Sequence, residues 1–134
     1  MVFAQASDFN AVVNQWTVVG QADPTQSRVQ TCNSALMFGG PGFLNPGGYF
    51  ERTYESPSTH NMIYFLFRFY IIDDWQPNDL FQIRIDNKVP MTFQPMTSKD
   101  FYGSKLCGIS QYFDTDVYWI QGKVLHSAST VTIR

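Results

Sequence analysis

The sequence predicts an all-β fold, a two-sheet antiparallel β-sandwich of jelly-roll or related topology, and three observations carry that expectation. Residues Met62 to Ile71 alternate, with Ile63, Phe65, Phe67, Phe69 and Ile71 on one face and Met62, Tyr64, Leu66, Arg68 and Tyr70 on the other. That two-residue period belongs to a strand. Twelve Phe, seven Tyr and three Trp against only 15% charged residues favour strands over helices. Turn-forming residues recur at roughly ten-residue spacing, as in sandwiches and barrels.

Each element follows in order. Ser7 to Trp16 carries a plausible cap and spaced apolar residues, so residues 1–15 read as an N-terminal extension or a short helical turn. Trp16 to Val19 is a first strand, ended by Gly20 and the turn at Asp23-Pro24. Leu36-Met-Phe leads into Gly39 to Gly48, whose five Gly and two Pro argue for a tight surface loop without regular structure. Tyr49 to Tyr54 resumes as a strand. After the turn at Ser56 to His60 comes the long strand from Met62, closed by Asp73 and Asp74. Phe81, Ile83 and Ile85 then alternate with Gln82, Arg84 and Asp86. Asp86-Asn87 turns into a short strand at Val89 to Phe93, and Met96 to Gly108 reads as irregular. Phe113 to Val124 is a further long strand with both faces expected to be buried, and Thr130 to Arg134 alternates as the last. At 134 residues without repeats or linkers, the chain is expected to form a single domain over 1–134.

The totals narrow the function. A net charge of −2 with Lys and Arg scattered singly offers no electrostatic drive toward a phosphate backbone, so nucleic acid is not an expected partner. No apolar run approaches the roughly 20 residues a membrane-spanning helix needs, and no direct membrane insertion is expected. Ala4 and Ala6 form a small-x-small pattern like the end of a signal-peptidase site, without the apolar region that should precede it. That stretch reads either as the remnant of a processed secretory leader or as coincidence.

Cys32 and Cys107 stand too far apart for a zinc knuckle or a Cys-x-x-Cys redox pair. A disulfide is the simpler use, and chain-entropy reasoning gives it about 4 kcal/mol for closing so long a loop. Two unrelated buried thiols in a reducing compartment are the alternative.

Three constellations invite a chemical reading. Asp73, Asp74, Asn78 and Asp79, joined by Asp114 and Asp116, offer hard oxygen ligands of the kind calcium takes, although the EF-hand spacing is absent. Calcium is therefore a candidate cofactor, with Asp73, Asp74 and Asp79 as its ligands, against the plainer reading of a solvated turn whose carboxylates bond backbone amides. Trp75 in that turn, with Tyr112, Phe113 and Asp116 on another segment, could form an aromatic ligand-binding platform, or Trp75 could fold back over the sandwich edge. His60 and His126 allow a triad to be drawn with Ser58 or Ser127 and Asp114, but no Gly-x-Ser-x-Gly elbow accompanies it and no catalytic residue is assigned.

Taken in order, Trp16, Cys32, Gly39-Gly40, Tyr70-Ile-Ile-Asp-Asp-Trp75, Cys107-Gly108, Phe113-Asp-Thr-Asp116 and His126-Ser-Ala-Ser129 form a pattern across nearly the whole chain. It resembles the galactose-binding-like β-sandwich module of large cysteine-rich secreted or surface proteins of ciliated protozoa. The resemblance implies a Cys32–Cys107 pair, an extracellular or cell-surface location and no enzymatic activity. Gln76-Pro77-Asn78 departs from the acidic residues that pattern carries after its Trp, which weakens a transferred calcium site. The expected function is a non-enzymatic structural or adhesive module that packs into a surface or filamentous assembly through loops and edge strands. Its partners would be other proteins or further copies of itself. The alternative is a carbohydrate-binding, lectin-like domain with calcium and a glycan partner.

Overall fold

The computed structural model describes residues 9–56, 58–73, 75–94, 105–108 and 114–134, with the backbone alone at 115–118. Among the described residues the chain is all-β apart from one short helix. It divides into two compact units, Met1–Arg52 and Thr53–Arg134, and the strand that contains both Arg52 and Thr53 runs through the division.

The first unit opens with α1 (Phe9–Val13), a single helical stretch whose Val13 is buried. The strands β1 (Thr17–Gln21), β2 (Val29–Cys32), β3 (Ala35–Phe38) and the first part of β4 (Leu44–Glu55) follow. The alternation at Val29 to Cys32 is too short to be legible as a strand. Its pairing with β3 depends on Asn33 and Ser34, whose φ angles of 45° and 67° make the two-residue turn that matches strand twist.

β1 pairs antiparallel with β4, yet Val19 faces Tyr49 while Gln21 faces Leu44. Residues 45–48 therefore bulge out of the ladder. This corrects the expectation that Gly39 to Gly48 excludes regular structure, since β4 already begins at Leu44. Gly20 and Gly48 make the bulge feasible, because a side-chain carbon on Gly20 would lie 2.8 Å from the Gly48 Cα. Met37 and Phe43 are buried in this unit, and Phe50 packs against Phe43 and Phe38 at ring separations of 5.8 and 4.1 Å.

The second unit is a two-layer sandwich. One layer runs in the order β4-β9-β6-β7, with β6 (Phe81–Ile85), β7 (Lys88–Phe93) and β9 (Thr130–Ile133). The other is the ribbon of β5 (Met62–Ile71) and β8 (Thr115–Leu125), antiparallel with Phe67 opposite Ile120. Of the inward set read from the sequence, Ile63, Phe65, Phe67 and Phe69 pack onto the buried Ile83, Ile85, Ile120 and Val131, and Ile71 is buried beyond the register shift that follows Phe69. The Phe69 and Phe81 rings meet across the layers at 4.4 Å. Burial of each such side chain contributes about 1.5–3 kcal/mol, so this interface is the main source of the unit's stability.

β8 differs from its expectation. Ile120 is buried but Trp119 is 63% exposed, because among the described residues only one face of the β5–β8 ribbon has a second layer against it. A run of apolar residues cannot by itself report that a sheet is covered on one side only.

Candidate functional site

The acidic turn after β5 is held from within. Asp114 is buried, and its carboxylate accepts backbone N–H groups from Asp73 at 3.0 Å, Leu106 at 2.7 Å and Cys107 at 2.8 Å. Three amide donors satisfy a buried carboxylate without any cation. Asp79 acts locally as well, its Oδ2 accepting the Gln76 N–H at 2.8 Å. Asp73 takes φ 60°, a left-handed conformation that Asp tolerates in turns. Of the proposed calcium ligands, Asp74 lies outside the described residues, and Asp73 and Asp79 are placed in a turn built of side-chain to backbone bonds.

Trp75 is half-buried and meets the Phe69 ring edge-on at 5.8 Å, which places it over the end of the sandwich core. Tyr112 and Phe113 lie outside the described residues, and Asp116 is described only as backbone within β8. Cys32 and Cys107 are both disulfide-bonded, and no described helix is long and apolar enough to cross a membrane.

The outer face of β5–β8 is where exposed aromatic surface gathers. Register sets Tyr64 opposite Lys123, Leu66 opposite Gln121, Arg68 opposite Trp119 and Met62 opposite Leu125. Tyr64 is 71% exposed, Leu66 61%, Trp119 63% and Leu125 67%. Scattered exposed apolar residues are ordinary, but here four large ones gather on one face of one ribbon. The Arg68 guanidinium lies 5.5 Å from the Trp119 ring centre and 5.6 Å from that of Tyr70. Cation–π attraction on both sides holds these three side chains in one arrangement. The two charges described on this face, Arg68 and Lys123, are both positive. Alternation in β5 already separated Tyr64 and Leu66 from the core set, so half of this surface was legible before folding. The other half required the cross-strand register.

A second cluster forms where three turns of the sandwich converge. His60 Nε2 and His126 Nδ1 are 2.7 Å apart, His60 Nδ1 lies 3.0 Å from the Ser58 carbonyl and 3.1 Å from Ser56 Oγ, and Ser56 Oγ donates to that same carbonyl. His126 Nε2 is 3.1 Å from Asp86 Oδ2 but makes no hydrogen bond with it. Asp86 Oδ1 accepts the Thr132 N–H at 2.9 Å, so that carboxylate is anchored on its other side. The sequence pairing of His126 with Asp114 is not formed: His126 meets Asp86, and Asp114 is occupied by amides. An open depression of about 480 Å³ beside His126 is lined by Asn61, Asp86, Lys88, Leu125, Ser127 and Ala128. The two histidines stand 66 residues apart, and no local motif announces their meeting.

The resemblance to galactose-binding-like modules rests on the sequence pattern alone. Comparison of this chain with protein-family models, with curated proteins and with solved structures found no match to any of them.

Proposed function

We propose that this chain is a non-enzymatic, extracellular β-sandwich module that packs into a larger assembly through the outer face of β5–β8. The observation that carries this reading is the exposed row of Tyr64, Leu66, Trp119 and Leu125. Aromatic residues and Arg are the types enriched at interface centres, where they exclude water over a large area. Arg68 and Lys123 on the same face favour a protein partner that presents apolar side chains flanked by carboxylates. Among the described residues neither β5 nor β8 has a second hydrogen-bonded neighbour, so strand addition at the ribbon edge is available to the same partner. The bonded cysteines accord with an oxidising compartment.

Cross-linking followed by mass spectrometry on native material tests this reading. Expected are stoichiometric cross-links from Lys123 to an acidic segment of one protein, abolished by Trp119→Asp together with Leu66→Asp. A monomer that forms no such cross-links, or a glycan array on which the wild type binds and the double variant does not, would replace protein packing with the lectin alternative or with neither.

A further inference from the structure

We infer, resting on the packing role proposed above, that Arg68 is the carboxylate-binding residue of the β5–β8 face and that its ligand is an extended acidic-x-apolar-x-acidic segment of the protein partner. Arg68 is exposed, and its Cζ lies over the Trp119 ring at 5.5 Å across the ladder and over the Tyr70 ring at 5.6 Å along its own strand. Arg28 donates to the Trp16 carbonyl and Arg84 to Gln82 Oε1, so those two side chains are engaged within the chain. Among the described residues Arg68 has ring contacts alone, with no hydrogen-bond or ion-pair partner.

Ring contact orients a guanidinium without using up its N–H donors. Cation–π attraction acts on the delocalised charge, whereas the five N–H groups bond at the guanidinium edge. Arg68 therefore retains the paired donors that grip a planar carboxylate through two parallel hydrogen bonds. The two rings restrict its rotamers before any partner arrives, so less side-chain freedom is lost on binding than for an unsupported Arg. They also keep water from part of the charge, which strengthens an ion pair formed there.

Register supplies the spacing of the partner's groups. Read back from Arg68, the next outward residues of β5 are Leu66 and then Tyr64, which stands opposite Lys123. A strand rises about 3.3 Å per residue, which sets Leu66 about 7 Å from Arg68 and the Tyr64–Lys123 pair about 13 Å from it. Alternate side chains of an extended partner share that spacing and point the same way. A segment with acidic residues at its first and fifth positions and an apolar residue at its third therefore brings one carboxylate to Arg68, an apolar side chain to Leu66 and the other carboxylate to Lys123. Leu66 is 61% exposed and Lys123 is exposed, so both are open to such a segment. The same face of a second copy does not match, because it sets Arg68 and Lys123 against like charges.

Isotope-labelled full-length protein is titrated with the blocked peptide acetyl-Glu-Thr-Leu-Thr-Glu-amide while the Arg68 Nε–H and Trp119 Nε1–H resonances are followed. Saturable shifts of both are expected, and the peptide with Gln at both acidic positions should bind about tenfold more weakly. Arg68→Lys keeps the charge but not the fork. It should weaken the acidic peptide about tenfold, read at Trp119, with little change in melting temperature because the side chain is exposed and lies outside the core. Lys123→Gln removes an exposed point charge and should weaken binding by less. Equal binding of the Gln peptide, wild-type affinity in Arg68→Lys, displacement by equimolar sodium sulfate, or resonances that never move would each overturn the assignment. The native cross-links are scored separately. If they persist while the peptide fails, the face still packs and Arg68 is not its carboxylate-binding residue; if they are absent while the peptide binds, the carboxylate site stands and the packing role falls.

Discussion

The backbone N–H of Asp73 donates to the buried Oδ1 of Asp114 at 3.0 Å, and the other oxygen of that carboxylate accepts two further amides, from Leu106 and Cys107. One side chain thereby supports the end of β5 and the segment that bears Cys107. Removing it leaves three amide donors in a site closed to solvent, each costing about 1–3 kcal/mol. Asp114→Ala should therefore lower the urea-derived unfolding free energy by about 3–5 kcal/mol, in the range kept for broken buried networks. A loss below 1 kcal/mol would show that water replaces the carboxylate.

Gly122 faces Phe65 across the β5–β8 ribbon, and a side-chain carbon there would come within 2.3 Å of the Phe65 ring. Phe65 belongs to the packed set, so the ring cannot simply swing away. Gly122→Ala should destabilise the chain by about 1–3 kcal/mol through overpacking, despite the better strand propensity of Ala. Combining it with Phe65→Leu should return part of that loss, as neighbouring sites couple in a double-mutant cycle.

Within the sandwich, Ile85 is 1% exposed and sits in the central cluster. Ile85→Ala should cost about 2–5 kcal/mol in chemical denaturation. Phe67→Asp places a charge on the same inward face and should yield insoluble protein. Recovery of that variant as a soluble, cooperative folder would mean that the assigned face is wrong.

The outer face should behave in the opposite manner. Trp119→Ala removes a ring in contact with Arg68 but leaves the core untouched, so stability should change by no more than about 0.5–1 kcal/mol. Association through this face should fall at least tenfold, as for a central aromatic anchor. Equilibrium unfolding and binding, measured on the same preparation, separate the two effects.

Reduction of the disulfide should lower stability by about 4 kcal/mol, the value expected for a loop spanning Cys32 to Cys107. Denaturant melts with and without reductant measure it directly, and alkylation of the reduced sample confirms that both thiols were released.

The β5 pattern shows why part of this fold is readable before folding. A strand buried on one side must place apolar residues at every second position, so Ile63, Phe65, Phe67 and Phe69 declared their face without knowledge of any partner strand. Asp86-Asn87 and Asp73 were legible for a similar reason, since a tight turn needs particular residues at particular backbone angles. Short or interrupted elements escaped: β2 has only four residues, and the β1–β4 bulge preserves pairing through glycines that ordinarily signal a loop.

What the sequence alone determined is thus local, namely strand periodicity, turn chemistry, few charges and two cysteines with reason to bond. Tertiary structure decided which groups meet. His60 faces His126, the buried Asp114 serves three amides, and Trp119 stands in solvent beside Arg68. Alternation along one strand records the side on which a residue lies. Only the register and layering of other strands, distant in sequence, determine what fills the space on that side.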